Sequence, residues 1–238
     1  MLKFILVTTV AWLFPASVLA FGPGVHLELS LRLFEELPLL NLSLAQFLSE
    51  SGWAFLYGNI APDFLVGRAG WREHYHSLRA ARRLLSCAFR PELKAFSLGY
   101  LFHLVTDDVA HNQIIPAFQR RLGLPPRFIH YLLEWSLERD RRFSFYLLRG
   151  LLLWPGRHSL DLFLTKALGL ETRTYFYRRA LYVLSYRLSL VKRRREPTTL
   201  VQLFRRCYPD ISKRCLKTAL ETLISWEEKL EDLGLRSA

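Results

Sequence analysis

The residues of this chain with the clearest capacity for chemistry are five imidazole and carboxylate side chains on two short segments. They are His103, Asp107 and His111 in GYLFHLVTDDVAHN, followed by His130 and Glu134 in FIHYLLEW. Residues four apart lie one above another on a helix, so each segment predicts a polar stripe on one helix face. Imidazole nitrogen and carboxylate oxygen are ligands that Zn²⁺ accepts, and apolar surroundings could not bury such groups uncompensated. Two facing stripes therefore predict a metal site.

Either stripe alone is also consistent with a simple hydrogen-bonded pair of histidine and carboxylate. The distribution of histidine favours the metal. Six of the seven histidines lie within the first 130 residues, and the long basic C-terminal part keeps only His158. Histidine is therefore concentrated where the carboxylate motifs are.

Two further segments contribute candidate ligands. In YGNIAPD, Asp63 follows a predicted helix in a loop constrained by Gly58 and Pro62, from which its carboxylate can point inward. A helix cap is the alternative role for Asp63. In WREHYH, the side chains of His74 and His76 would point about 200° apart on a helix, so one of the two is expected to face the cluster. We favour His76.

The elements that must position these residues are predicted to be helices, and the fold class is all-α. Apolar residues recur at three- and four-residue steps through most of the chain, which has 238 residues and 51% hydrophobic content, enough for a sizeable core. The predicted helices cover residues 25–36, 44–57, 73–86, 91–112, 127–149, 159–168, 172–193, 198–206 and 210–233.

The first 20 residues have the pattern of a secretory signal peptide. Lys3 precedes an apolar run, and Val18 and Ala20 stand at the minus three and minus one positions of a cleavage site. A retained membrane anchor is the alternative, but the run contains Pro15 and is shorter than the roughly 20 apolar residues of a spanning helix. We predict cleavage after Ala20 and a secreted or periplasmic protein.

The rest of the chain is predicted to divide near Trp154-Pro155-Gly156. Residues 21–150 would form the core that carries the chemistry, and residues 151–238 a basic helical extension packed on it. The net charge is +12 and becomes +11 once Lys3 is removed. Anionic partners are therefore expected, such as phosphate-bearing substrates or an anionic membrane surface. A monomer is expected.

The three cysteines bear on folding rather than on the metal motifs. Cys207 and Cys215, in CYPDISKRC, could form a disulfide across a turn at Pro209 and Asp210 in an exported protein, or remain reduced. Cys87 would be a buried free thiol. None of the three lies near the histidine motifs, so a zinc finger is not expected.

In order and spacing, the motifs together resemble the zinc-dependent phospholipase C family, which is related to the S1/P1 nucleases. The motifs are FGPGVH, GNIAPD ending at Asp63, the histidine at 76, HxxxD with the histidine that follows, and HxxxE. The resemblance covers roughly residues 21–149. It implies a multi-helix bundle of the zinc-dependent phospholipase C or P1 nuclease type, with three zinc ions.

The resemblance also implies which residues hold each ion. The ligands would be Asp63, His76, His103 and Asp107 for one ion, His111, His130 and Glu134 for a second, and His26, the bridging Asp107 and the amino group and carbonyl of Phe21 for a third. Phe21 would become the mature N-terminal residue after cleavage. The family pattern has Trp at this position, and ligation through the backbone does not depend on that side chain.

The resemblance implies a phosphodiester hydrolase in which water activated by zinc attacks phosphorus. Asp63 would orient or deprotonate that water. Phospholipid is the favoured substrate, because arginine interleaved with Leu, Phe and Tyr suits a headgroup region. An S1/P1-like single-strand nuclease is the less favoured alternative. A third alternative is an exported protein without activity, in which zinc ions with closed coordination shells only stabilise a helical domain.

Overall fold

The computed structural model describes residues 21–65, 74–138, 142–191 and 199–225, and within these ranges it is helical with no strand. The predicted all-α bundle is confirmed. The predicted signal peptide lies outside the described residues. The helices are α1 (Pro23–Leu40), α2 (Leu42–Glu50), α3 (Gly52–Ile60), α4 (Leu78–Ser86), α5 (Pro91–Val109), α6 (Ile115–Leu122), α7 (Pro126–Glu138), α8 (Arg142–Leu153), α9 (Arg157–Leu168), α10 (Thr172–Val191) and α11 (Thr199–Ile224).

Two short turns of different geometry extend the helices that bear the candidate ligands. A 3₁₀ turn at Ala61–Leu65 continues α3, and a π-helical turn at Ala110–Ile114 joins α5 to α6. The predicted single helix 44–57 is divided at Ser51, and the side chain of Asn41 caps α2 by accepting from the backbone N–H of Leu44 at 2.9 Å. None of the helices described here is both long enough and apolar enough to cross a membrane.

The predicted break between residues 206 and 210 is wrong, because α11 runs through Pro209 without interruption. Proline removes one backbone hydrogen bond, but burial of Phe204, Ile211 and Leu216 on one face holds the helix together. Cys207 and Cys215 therefore lie about 12 Å apart along one axis, beyond the reach of a disulfide. All three cysteines are free thiols.

The centre of the bundle is a crossing of α3 over α5 in which the two backbones touch. A Cβ atom on Gly58 would lie 2.0 Å from the carbonyl oxygen of Phe96, and one on Gly99 would lie 2.0 Å from that of Phe55. No residue larger than glycine fits at either position without separating the helices. This contact brings the end of α3, and the 3₁₀ turn after it, against the middle of α5.

Helix α5 is buried on nearly every side. Its exposed positions lie mainly at the two ends, and polar side chains as well as apolar ones are enclosed in its second half. Around it, Phe102 packs on Phe55 with ring centroids 5.6 Å apart, and Phe96 packs on Tyr57 at 6.1 Å. A helix that is apolar on all faces lies inside a fold, so its polar residues need partners there.

Helices α9 and α10 are tied to α3 by a buried carboxylate. Asp161 is fully buried and accepts hydrogen bonds from the hydroxyls of Tyr57 and Tyr175, each at 2.6 Å. The guanidinium of Arg179 donates to the second oxygen of the same carboxylate. The network joins residues on both sides of position 150. The division of the chain there stays a prediction.

We predict that Gly99→Ala destabilises the protein by about 3 kcal/mol or more, because its methyl group would overlap the carbonyl oxygen of Phe55 and force α3 and α5 apart. Denaturant unfolding would measure the loss. Gly52→Ala is the matched control, since the nearest atoms to a Cβ there lie 3.9 Å away on Phe34. Equal stability of the two variants would contradict the crossing.

Candidate metal centre

Five imidazole and carboxylate side chains converge beside the α3–α5 crossing, from α1, the 3₁₀ turn, α5 and the residues before α4. Their ligand atoms form two groups within 4.8 Å, which share one histidine, among the residues that the structure describes. The groups are His26, Asp63 and His103, and His76, His103 and Asp107. All but His76 are at most 2% exposed. These are the residues predicted for the first ion, together with one predicted for the third.

Three separations between donor atoms match those expected around a shared ion. Asp107 Oδ2 lies 3.3 Å from His76 Nε2, and Asp107 Oδ1 lies 3.4 Å from His26 Nε2. Asp63 Oδ1 lies 3.5 Å from His103 Nε2. These distances exceed those of good hydrogen bonds. Two ligands about 2.0–2.1 Å from a tetrahedral zinc ion would stand about 3.3–3.5 Å apart.

The ring of His103 is oriented from behind. Its Nδ1 lies 2.7 Å from the carbonyl oxygen of Asn59, which can only accept, so Nδ1 carries the proton and Nε2 presents a lone pair to the cluster. The side chain of Asn59 donates to the carbonyl of His26 at 2.7 Å and to Ser30 Oγ at 2.5 Å. One residue at the end of α3 thus fixes a histidine on α5 and the backbone of another on α1.

Several polar atoms of the cluster are buried without a hydrogen bond. They are His26 Nε2, Asp63 Oδ1 and both carboxylate oxygens of Asp107, which have no hydrogen-bond partner within the described ranges. Burying such atoms unsatisfied costs free energy, and a divalent cation satisfies them. Nitrogen and carboxylate oxygen are the donor set of zinc, so the residues present fit that ion.

The two aspartates differ in how readily they ionise. Burial raises the pKa of Asp63, the negative charge of Asp107 raises it further, and a hydrogen bond from Tyr182 opposes the rise. Burial alone would also raise the pKa of Asp107, but the adjacent His26 and His103 outweigh it and hold that pKa below its ordinary value. Of the two carboxyl groups, Asp63 is therefore the one that takes up a proton more readily.

Burial likewise lowers the pKa of His103, and the positive charge that His26 and His76 could carry lowers it further. His103 is therefore neutral in the fold. A neutral imidazole with a free Nε2 is the form that binds metal. The carbonyl of Asn59 and the buried surroundings thus prepare this residue as a ligand.

The residues predicted for a second ion lie on the other side of the cluster. The rings of His111 and His130 approach with centroids 5.0 Å apart, and His130 is buried. Glu134 is close enough for its charge to raise the pKa of Asp63. None of these three residues belongs to the close ligand groups that the described residues form. Their assignment to one ion stays a prediction.

The π-helical turn contains His111, the last residue of the stripe predicted with His103 and Asp107. A π turn holds more residues than an α turn. The ring of His111 packs against that of His130 on α7. Such turns occur frequently at functional sites.

The structure distinguishes His74 from His76, the two histidines that precede α4. His76 Nε2 lies 2.9 Å from His103 Nε2 at the cluster, whereas His74 is exposed. The hydroxyl of Tyr100 donates to the carbonyl of Tyr75 and so fixes the backbone next to His76. Of the two, His76 is therefore the one that lies at the cluster, and its role as a ligand stays a prediction.

Phe21 is fully buried beside the residue with which it is predicted to share an ion. Its ring meets that of His26 edge-on, with centroids 5.9 Å apart and an angle of 75°. Ligation by its amino group depends on cleavage after Ala20 and stays a prediction.

The comparison with protein-family models bears on the same region. Residues 25–149 match the model described as zinc dependent phospholipase C, and this match covers more than half of the chain. The chain belongs to the zinc-dependent phospholipase C family. Comparison with curated proteins and comparison with solved structures each gave no match. The predicted resemblance is confirmed, and the family segment contains every predicted ligand except Phe21.

Sequence reasoning missed Glu138, which lies within the family segment and is 1% exposed. Its carboxylate accepts from the backbone N–H groups of Gly24 at 3.1 Å and Val25 at 2.7 Å, so it caps the N-terminus of α1. It stands four residues after Glu134, on the same predicted stripe. That spacing was the available signal.

Sequence reasoning also missed Tyr182, which lies outside the family segment on α10. Its hydroxyl donates to Asp63 Oδ2 at 2.9 Å. A tyrosine among apolar residues on a helix has the pattern of a core residue, so the sequence carries no signal for this contact.

We predict that Glu138→Ala lowers the free energy of unfolding by about 2 kcal/mol or more, because two buried N–H groups at the start of α1 lose their acceptor. Thermal and denaturant unfolding would measure it. Glu36→Ala is the control, because Glu36 lies at an exposed position on α1. A Glu138 variant as stable as this control would show that the cap contributes nothing.

We also predict that zinc binds more weakly as the pH is lowered. Burial and the charge of Asp107 raise the pKa of Asp63, so this carboxyl takes up a proton more readily as the pH falls, and an incoming cation must displace that proton. Calorimetric titration of the chelator-treated protein at two pH values, in buffers of different ionisation enthalpy, would measure both the affinity and the proton release. Affinity and heat that depend on neither pH nor buffer would refute the prediction.

Proposed function

We propose that this protein is a phospholipase C-like phosphodiester hydrolase that uses three zinc ions. Family membership supports zinc-dependent phospholipase chemistry. The observation that carries the proposal is the convergence of His26, Asp63, His103 and Asp107, whose buried side chains form close ligand groups. In all of them except His103, ligand atoms also lack a hydrogen-bond partner among the described residues. The predicted ligand sets, including Phe21 and the group of His111, His130 and Glu134, complete the proposed centre.

When bound, zinc supplies positive charge for a phosphodiester and its transition state, and it lowers the pKa of water toward neutrality. The chain provides the orientation. Asp63 has one carboxylate oxygen fixed by Tyr182 and directs the other into the cluster. We assign to Asp63 the roles of orienting the attacking water and accepting its proton.

A phospholipid surface is the proposed source of the substrate. The outer face of α7 exposes Phe128 and Tyr131, with exposed fractions of 47% and 60%, beside the exposed Arg127. The inner face of the same helix carries His130 and Glu134 toward the centre. Aromatic and cationic side chains together suit the headgroup region of a membrane, and the net positive charge of the chain favours an anionic one.

We further propose that the protein acts outside the cytoplasm as a monomer. The pattern of residues 1–20 supports export, since it has the order of regions found in cleaved leaders. Cleavage after Ala20 would also make Phe21 the terminal residue that the proposed third ion requires.

We predict that Asp63→Asn and Asp107→Ala each reduce phosphodiester hydrolysis at least 10²-fold, because each removes a carboxylate on which the centre depends. The assays use a chromogenic phosphocholine diester and phosphatidylcholine vesicles, with single-stranded DNA in parallel. His74→Ala is the control, since this exposed histidine lies outside the close ligand groups formed by the described residues.

The assays separate the proposed function from its alternatives. Cleavage of single-stranded DNA in preference to both lipid substrates would replace the phospholipase by a nuclease. Zinc that is bound with no substrate cleaved would identify a structural role for the metal. Full activity in Asp107→Ala would refute the centre itself.

A further inference from the structure

We propose that Tyr182 is a positioning residue of the metal centre, which fixes the carboxylate of Asp63 so that Oδ1 faces the ion. The inference rests on the proposed function, in which Asp63 is a ligand. It assigns a role at the centre to α10, which lies outside the family segment.

The geometry at Asp63 carries the inference. Tyr182 donates to Oδ2 at 2.9 Å, and the side chain of Asp63 is fully enclosed. A carboxylate held at one oxygen can no longer rotate about its Cβ–Cγ bond. Its other oxygen, Oδ1, lies 3.5 Å from His103 Nε2 and has no hydrogen-bond partner among the side chains that the structure describes. The oxygen that faces the histidine is therefore the one left for the ion.

The residue after Asp63 holds the tyrosine ring in place. Phe64 meets Tyr182 edge-on, with ring centroids 5.2 Å apart and an angle of 67°. Phe64 also meets Tyr175, which lies about two helical turns earlier on α10, with ring centroids 6.4 Å apart and an angle of 63°. The 3₁₀ turn that carries the ligand thus also carries the surface on which its hydrogen-bond donor packs.

The buried Asp161 network fixes α10 relative to α3. Arg179 lies three residues before Tyr182 and donates to Asp161, and its guanidinium also lies 3.2 Å from the hydroxyl of Tyr57. Tyr57 stands on α3, which continues into the turn of Asp63. The helix of the donor and the segment of the acceptor are therefore anchored to one carboxylate.

Partners that orient a metal ligand generally change metal affinity 10- to 100-fold when they are removed. Tyr182→Phe removes only the hydroxyl and keeps the ring on Phe64. We expect the dissociation constant of the zinc ion bound by Asp63 to rise 10- to 100-fold. We also expect the visible absorption of the cobalt-substituted protein to shift, because Asp63 is no longer held in one orientation.

The experiment compares variants of the full chain by stepwise zinc competition against a colorimetric chelator and by cobalt absorption. Tyr175→Phe is the first control, because Tyr175 lies on the same helix and donates its hydroxyl to another buried carboxylate, that of Asp161. Tyr177→Phe is the second, because this tyrosine is 65% exposed on α10. Thermal unfolding of each metal-free variant accompanies the titrations.

Weaker zinc binding and an altered cobalt spectrum in Tyr182→Phe, with Tyr177→Phe like the wild type and a smaller loss in Tyr175→Phe, would support the inference. Wild-type zinc affinity and spectrum in Tyr182→Phe would overturn it while leaving the proposed function intact. An equal loss of affinity in Tyr175→Phe would also overturn it, since the effect would then come from loosening α10. A wild-type protein that binds no zinc would refute the proposed function and this inference with it.

Discussion

The metal centre depends on one contact, the touching of the α3 and α5 backbones at Gly58 and Gly99. Because neither position has a side chain, the helices approach closely enough for the carbonyl of Asn59 to reach Nδ1 of His103. The same approach places Asp63, in the middle of the 3₁₀ turn, beside Nε2 of that histidine. A wider crossing would separate Asp63 from His103.

Burial of acids without hydrogen bonds opposes folding, and the centre contains several such atoms. The fold offsets part of this cost locally, since Asp107 is surrounded by imidazoles and Glu138 faces the N-terminus of α1. Asp63 has the hydroxyl of Tyr182 on one side only. What remains unsatisfied is concentrated in one place, where a cation would lie. The arrangement is thus unfavourable without metal and favourable with it.

The sequence predicted the helices and the inward-facing histidines and carboxylates because both follow from local spacing. His103 and Asp107 share a face of α5 as expected, whereas no residue pattern predicts the π-helical turn that contains His111. Pro209 predicted a break that packing overrode. Tyr182 and Glu138 act through partners more than a hundred residues away in the chain, and periodicity contains no information about such pairs.

The position of Tyr182 also bears on how the molecule can be divided. The stretch recognised as characteristic of the family ends at residue 149, yet a carboxylate inside that stretch receives its hydrogen bond from α10. Asp161 and Arg179 also lie after residue 149, and both form hydrogen bonds with the hydroxyl of Tyr57. A fragment limited to that stretch would therefore leave the hydroxyl of Tyr57 without Asp161 and Arg179, and Asp63 without its hydrogen bond from Tyr182. The folded unit that holds the site in place therefore extends beyond the segment that matches the family.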